Sequence, residues 1–203
     1  MSTADEAVRR ADAATGAAVA TAPGGAVLVL DVPDGWTLGD ADGVAAVLVR
    51  ETSPSGFRTN AMVQATTVPA AVSLDDVVVA IAARAAATYD AVDERGCRPT
   101  RAGDAVGVVR LVCFDLGPHA ARLAQLQLVL DAGPGDARPG DAQPGDAWPG
   151  DAGPGARAPA DGPGRRAVFT VALTCAAVDL PELGEELAAV VRTARVLRPA
   201  PQP

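Results

Sequence analysis

Val32-Pro33-Asp34-Gly35-Trp36, followed by Ser53-Pro54-Ser55-Gly56-Phe57-Arg58-Thr59-Asn60, is the stretch on which the fold turns. The first string ends an apolar strand in a Pro/Gly turn. The second is a Pro/Gly loop whose Asn60 opens a further strand. Upstream, residues 26–32 (AVLVLDV) supply the strand that Pro33 and Gly35 stop. Between the two strings, residues 44–51 (VAAVLVRE) form the next strand, and residues 60–68 (NAMVQATTV) form a third.

A helix follows over 73–89. Ser73 is placed as its N-cap, with Asp76 three residues on as capping-box partner. Leu74, Val77, Val78, Ile81, Ala85 and Tyr89 recur at helical spacing and give one apolar stripe. The second half repeats the plan. In residues 105–116, Val106, Val108, Val112, Phe114 and Leu116 point one way and Val109, Leu111 and Cys113 the other. A strand apolar on both faces needs cover on both. Residues 122–131 alternate, with Leu126, Leu128 and Leu130 inward and Gln125 and Gln127 toward a wetter surface. Residues 166–176 close the set, and a helix is predicted to start at Asp179 with Glu182 as its capping partner. The order predicts an α+β fold: an antiparallel six-stranded sheet flanked by helices, in β3-α-β3-α order.

The predicted organisation is a mobile tail over 1–23, a single domain over 24–198, and a tail over 199–203. A disordered loop, 133–164, interrupts the domain. That loop holds Pro134-Gly135-Asp136-Ala137 and three further PGDA units. Pro every five residues blocks helix and sheet ladder alike. Calcium is a poor match for the repeated Asp, because the ion wants about 6–8 oxygens around one point and this spacing spreads them out.

Among the 203 residues, 49% are hydrophobic but only 3% aromatic, so the core must be built from Val, Leu, Ile and Ala. All 17 basic residues are Arg, and the net charge is −8. That balance repels a phosphate backbone and argues against nucleic acid as a partner. Cys97, Cys113 and Cys175 are odd in number and fit no zinc spacing, so they are expected to be reduced thiols. No run approaches the ~18 apolar residues of a membrane span. The N-terminal stretch is acidic where a signal peptide is positive, and the expected location is cytoplasmic.

Chemistry-bearing constellations are sparse. His119, the only histidine, sits in a turn between two strands and reads as an exposed loop residue. Asp34, Asp40 and Asp42 surround glycines and read as turn residues; Asp93-Glu94-Arg95 reads as a solvated loop. The glycines give no phosphate-loop or dinucleotide fingerprint. The expectation is a protein without catalytic residues, cofactor or metal.

The Val-Pro-x-Gly-Trp turn, the Pro-x-Gly-Phe-x-x-Asn segment, the Ser-Leu-Asp-Asp helix opening and the closing strand-helix pair together resemble the LpqN-type family of actinobacterial proteins. That family is similar in turn to the PsbP-like fold and to DcrB-like proteins. The resemblance covers roughly residues 26–198 apart from the repeat. It implies a PsbP-like sheet flanked by helices and a non-enzymatic role as an adaptor, a chaperone-like module or another protein-interaction module. LpqN-type lipoproteins carry a lipidated Cys near the N-terminus; here the first is Cys97, which implies a cytoplasmic relative. The expected partner is another protein, on a surface formed by Trp36, Phe57, Asn60 and Met62, where large side chains concentrate; the competing reading is that these residues simply fill the sheet's core. The alternative is a carrier that holds a small apolar ligand in a core cavity.

Overall fold

The described residues of a computed structural model, 16–117, 121–135 and 164–198, form ten strands and two α-helices. The strands are β1 (Ala17–Thr21), β2 (Val27–Asp31), β3 (Trp36–Gly39), β4 (Ala46–Arg50), β5 (Asn60–Pro69), β6 (Asp90–Ala102), β7 (Ala105–Asp115), β8 (Arg122–Gly135), β9 (Arg165–Ala176) and β10 (Arg195–Leu197). The helices are α1 (Leu74–Thr88) and α2 (Leu180–Thr193). Seven strands form one antiparallel sheet in the order β3-β4-β5-β9-β8-β7-β6, and β1, β2 and β10 form a second, with β2 in the middle.

The fold is thus α+β, dominated by antiparallel sheet, but the six-strand count is corrected to ten strands in two sheets. The additions have physical reasons. β1 lies inside the segment read as a tail; its Ala-rich sequence carries little hydropathy contrast, yet Ala18 and Ala20 are buried against the large sheet. β6 is an edge strand with three Arg, one Gly and one Pro, and the Asp93-Glu94-Arg95 stretch read as a loop lies within it. An edge strand needs no alternating apolar pattern, and charge and Pro protect it from pairing with another chain. β3 and β10 have four and three residues, too few to show a period.

The central pairings follow the sequence reading. β7 and β8 pair from Gly107↔Leu130 to Asp115↔Arg122. The ladder between β8 and β9 runs on to Gly135↔Arg165, so the sheet continues up to the interrupting segment. The PGDA units beyond Gly135, His119, Trp148 and the extreme tails lie outside the described residues. At Gly107 the chain is too crowded for a side chain: an added Cβ would sit 2.6 Å from Leu130 Cδ2 and 2.7 Å from the Val129 carbonyl.

α1 begins as its sequence dictates. Ser73 accepts from the Asp76 amide at 3.0 Å, and the Asp76 carboxylate accepts from the Ser73 amide, completing the capping box. α2 departs from expectation. A 3-10 turn, Ala177–Asp179, leads into it, and Asp179 makes no capping bond. Its carboxylate instead accepts from the Ser55 amide at 3.0 Å and the Ser55 hydroxyl at 2.6 Å. Pro181 in the first turn needs no amide partner there.

The two faces of the large sheet are covered differently. α2 and the small sheet lie over one face and enclose the main core, which includes Leu48, Val63, Leu128, Phe169, Leu173 and Leu187. α1 lies over the other. Val77 is seated with Val68, Val129 and Val168. Near the opposite end, Tyr89 stacks on Phe114 at 4.2 Å in a separate cluster with Val112 and Leu123.

Candidate functional site

Polar anchors hold one flank of α2 to the sheet. Trp36 donates its indole N–H to the Glu186 carboxylate, and the Arg50 Nε donates to the same group at 3.0 Å. Asp179 and Ser55 fix the start of the helix on that side. The small sheet fills the neighbouring space, with β1 against β4 and β5. Over β6 and β7 no such filler is present among the described residues, and a groove remains between α2 and the sheet.

The groove encloses about 450 Å³. Its floor is Val109 and Leu111 from β7 and Leu126 from β8; its helical wall is Leu180, Gly184, Leu187, Ala188 and Val191. Gly184 and Ala188 are one turn apart and keep that wall thin. A Cβ added at Gly184 would meet only Leu180 Cδ1, at 3.9 Å, so the space beside it is open. Arg98 and Arg101 from β6 and Arg192 from α2 stand among the lining residues, with Thr100, and no carboxylate does. Arg192 also binds Glu185 at 2.9 Å. This volume falls within the ~300–1,000 Å³ range of small-molecule pockets, and an apolar lining with a few polar groups is their usual composition.

The residues expected to form one interaction surface do not lie together. Trp36 is 6% exposed on the α2 face, where it anchors the helix. Asn60 and Met62 project from the other face, opposite Val49 and Val47 of β4. Phe57 is partly buried against the Phe114 cluster. Met62 is exposed.

The expected wetter surface of β8 is a second departure. Gln125 and Gln127 are 8% and 6% exposed. They belong to a hydrogen-bonded row that crosses four strands. Glu94 accepts from Arg110 Nε at 2.9 Å, and Arg110 Nη1 donates to Gln127 Oε1 at 3.2 Å. Gln127 donates to Gln125, and Gln125 Nε2 donates to Thr174 Oγ1 at 2.9 Å. Arg110 is buried, while Glu94 reaches solvent at one end. The row separates the two apolar clusters under α1. It is a structural seam, since each polar group is occupied by its neighbour.

Cys113 and Cys175 are buried on the α2 face, with Ala124 of the intervening strand between them. They occupy non-adjacent strands, beyond the ~7 Å Cα separation a disulfide spans. Burial, then the charge of Asp179 and the thiol of Cys113, push the Cys175 thiol up to about 11, so it stays protonated and unreactive at neutral pH. Among the described residues no three His, Cys, Asp or Glu side chains gather to hold a metal, and no helix is long and apolar enough to cross a membrane.

Sequence reasoning missed the groove because two of its three arginines lie on β6, an edge strand without a readable period. One signal was present: Gly184 and Ala188, small residues four apart on a helix otherwise rich in Leu and Val.

No protein-family model matches the chain, and no curated protein does. Solved structures do. The chain is similar to LpqN, involved in cell envelope biogenesis of Mycobacterium tuberculosis, with a TM-score of 0.60 at 10% identity over 89% of this chain and 90% of that one. It is similar to PsbP (CyanoP) from Synechocystis sp. PCC 6803, with a TM-score of 0.51 at 14% identity over 90% and 94%. Protein PA94 from Pseudomonas aeruginosa, of unknown function, gives a TM-score of 0.50 at 13% identity over 86% and 92%. At these identities the likeness is one of fold: the chain has the α+β architecture shared by LpqN and PsbP.

Proposed function

We propose that this chain is a non-catalytic binding protein that carries a small apolar-tailed ligand in the groove between α2 and the β6–β7–β8 region. The observation that carries the reading is the 450 Å³ apolar space held open by Gly184 and Ala188. The protonated Cys175 thiol and the fully engaged polar row support the absence of catalysis. The test is to fill the groove. Gly184→Leu places a larger side chain into open space and improves helix propensity. The variant should keep its circular dichroism spectrum and lose uptake of a neutral apolar dye such as Nile red. Undiminished uptake by a folded variant overturns the site.

A second reading is a protein-interaction or adaptor module on the α1 face of β4 and β5. Its specific support is Met62, exposed beside Asn60 and opposite Val47, at the end of β5 away from the Val68–Val77 contact with α1. Met62→Asp should abolish capture of the native partner without loss of fold; retention of every partner by a folded variant removes this surface.

A further inference from the structure

The groove's chemistry narrows the class of molecule it takes. This step rests on the binding role proposed above and specifies its ligand. We infer that the groove binds a single-chain amphiphile with an anionic head, of the fatty carboxylate class, its tail along α2 and its head at the arginines of β6.

Three observations carry the inference. First, the charges on the lining have one sign: Arg98, Arg101 and Arg192, with no acidic side chain. The chain as a whole carries −8, so an arginine-only lining is contrary to the bulk balance. Second, Arg98 and Arg101 form no ion pair among the described residues, whereas the third arginine of the lining, Arg192, binds Glu185. Among the described residues no acceptor takes their guanidinium donors, whose fork geometry matches a carboxylate. Third, the polar and apolar parts are segregated. Leu180, Leu187, Val109 and Leu126 line its apolar part, and two of the three charges stand on β6 at the sheet edge, with Arg192 in the last turn of α2. Apolar body and charged end are thus presented as an amphiphile requires.

Charge range decides between this site and a general repulsion. At physiological salt, exposed charges beyond about 8 Å are largely screened. A head group in contact with Arg98 and Arg101 therefore feels those two residues more than the distant excess of carboxylates.

The experiment compares decanoate with decanol, which share a tail and differ in the head, by Nile red displacement and by calorimetry. It uses wild type, Arg98→Gln/Arg101→Gln and Gly184→Leu, each checked for fold by circular dichroism. Wild type is expected to bind decanoate about tenfold or more tightly than decanol, the scale of one charged hydrogen bond. The double Gln variant should erase that preference and leave decanol unchanged, and raised salt should weaken decanoate alone. If both probes bind equally to wild type, or the double variant keeps the preference, the anionic head is wrong while the carrier role stands. If neither probe binds, both inferences fall. Sedimentation with phosphatidylglycerol vesicles, without uptake of free decanoate, would mark an anionic lipid surface as the partner and overturn the single-chain assignment.

Discussion

The two faces of the seven-stranded sheet solve the same problem in opposite ways. On the α2 face the sheet side is almost wholly apolar, and the helix is located by polar anchors at one flank: Trp36 and Arg50 on Glu186, Ser55 on Asp179. On the α1 face the helix is located by apolar clusters toward its two ends, and the sheet between them carries the row from Glu94 to Thr174. An apolar face held from one side leaves a gap, which is the groove. The other face is held at both ends, and its middle is satisfied by internal hydrogen bonds. The difference teaches where to look for ligand chemistry in such a sheet: under the helix that is anchored asymmetrically.

The contrast can be broken most forcefully in the core of the α2 face. Phe169→Ala should cost about 3–5 kcal/mol in urea unfolding, because a fully buried aromatic leaves a cavity that the surrounding strands cannot close. A loss below about 1 kcal/mol would mean that this face is loosely packed throughout and the groove nothing special.

The polar row sharpens the comparison at an intermediate scale. Gln127→Ala leaves Arg110 Nη1 and Gln125 Oε1 without the partner each has in Gln127 and should cost about 1–3 kcal/mol. Replacing the interior of the row together, as Arg110→Met/Gln125→Leu/Gln127→Leu/Thr174→Val, should cost less than the sum of single changes, because no orphaned group remains. Additive losses in a double-mutant cycle would show that the members act independently.

The helix starts give a smaller effect. Ser73→Ala should destabilise by about 1 kcal/mol through loss of the cap. A pH signature accompanies it. The hydrogen bonds from the Ser73 side chain and then its backbone amide hold the Asp76 carboxyl below its ordinary 3.8. The stabilisation is complete above 3.8 and is lost as the pH falls through the lowered value. Protection from hydrogen exchange at the first turn of α1, taken relative to the intrinsic rate at each pH, should therefore fall on acidification in wild type, and already be low at neutral pH in Ser73→Ala. The first turn of α2, which has no capping box, should show no counterpart.

Least affected should be the open part of the α1 face. Met62→Ala is expected to change stability by no more than about 0.5 kcal/mol. A larger loss would show that Met62 is covered, and would remove the second functional reading with it.

What the sequence disclosed depended on contrast. Ser73 with Asp76 announced a helix start because both halves of the capping box lie within four residues. The Val109–Leu111–Cys113 and Val108–Val112–Phe114 rows announced a strand covered on both sides, which β7 is. The Gln125–Gln127 alternation was read as solvent contact because polarity alone does not distinguish water from a buried hydrogen-bond partner. The partners, Thr174 and Arg110, come from other strands. Asp179 has the residue type and spacing of a cap, but Ser55, distant in sequence, takes its oxygens. Trp36 announced a site by its size and proved to be an anchor. The groove depends on the lateral position of α2, set by contacts between residues more than a hundred positions apart, which no local pattern records.

The small sheet has a consequence for how the chain is made. β2 pairs with β1 immediately, but its other neighbour is β10, and Arg195 reaches Asp31 across 164 positions. At about 5–20 residues per second, synthesis puts on the order of ten to thirty seconds between them. During that interval the Ala18–Leu28–Leu30 surface has neither α2 nor β10 to cover it. The β1–β2 hairpin is thus among the last parts of the described fold to be finished, and a ribosome stalled before α2 holds a nascent chain with its apolar side open to any chaperone or neighbour within reach.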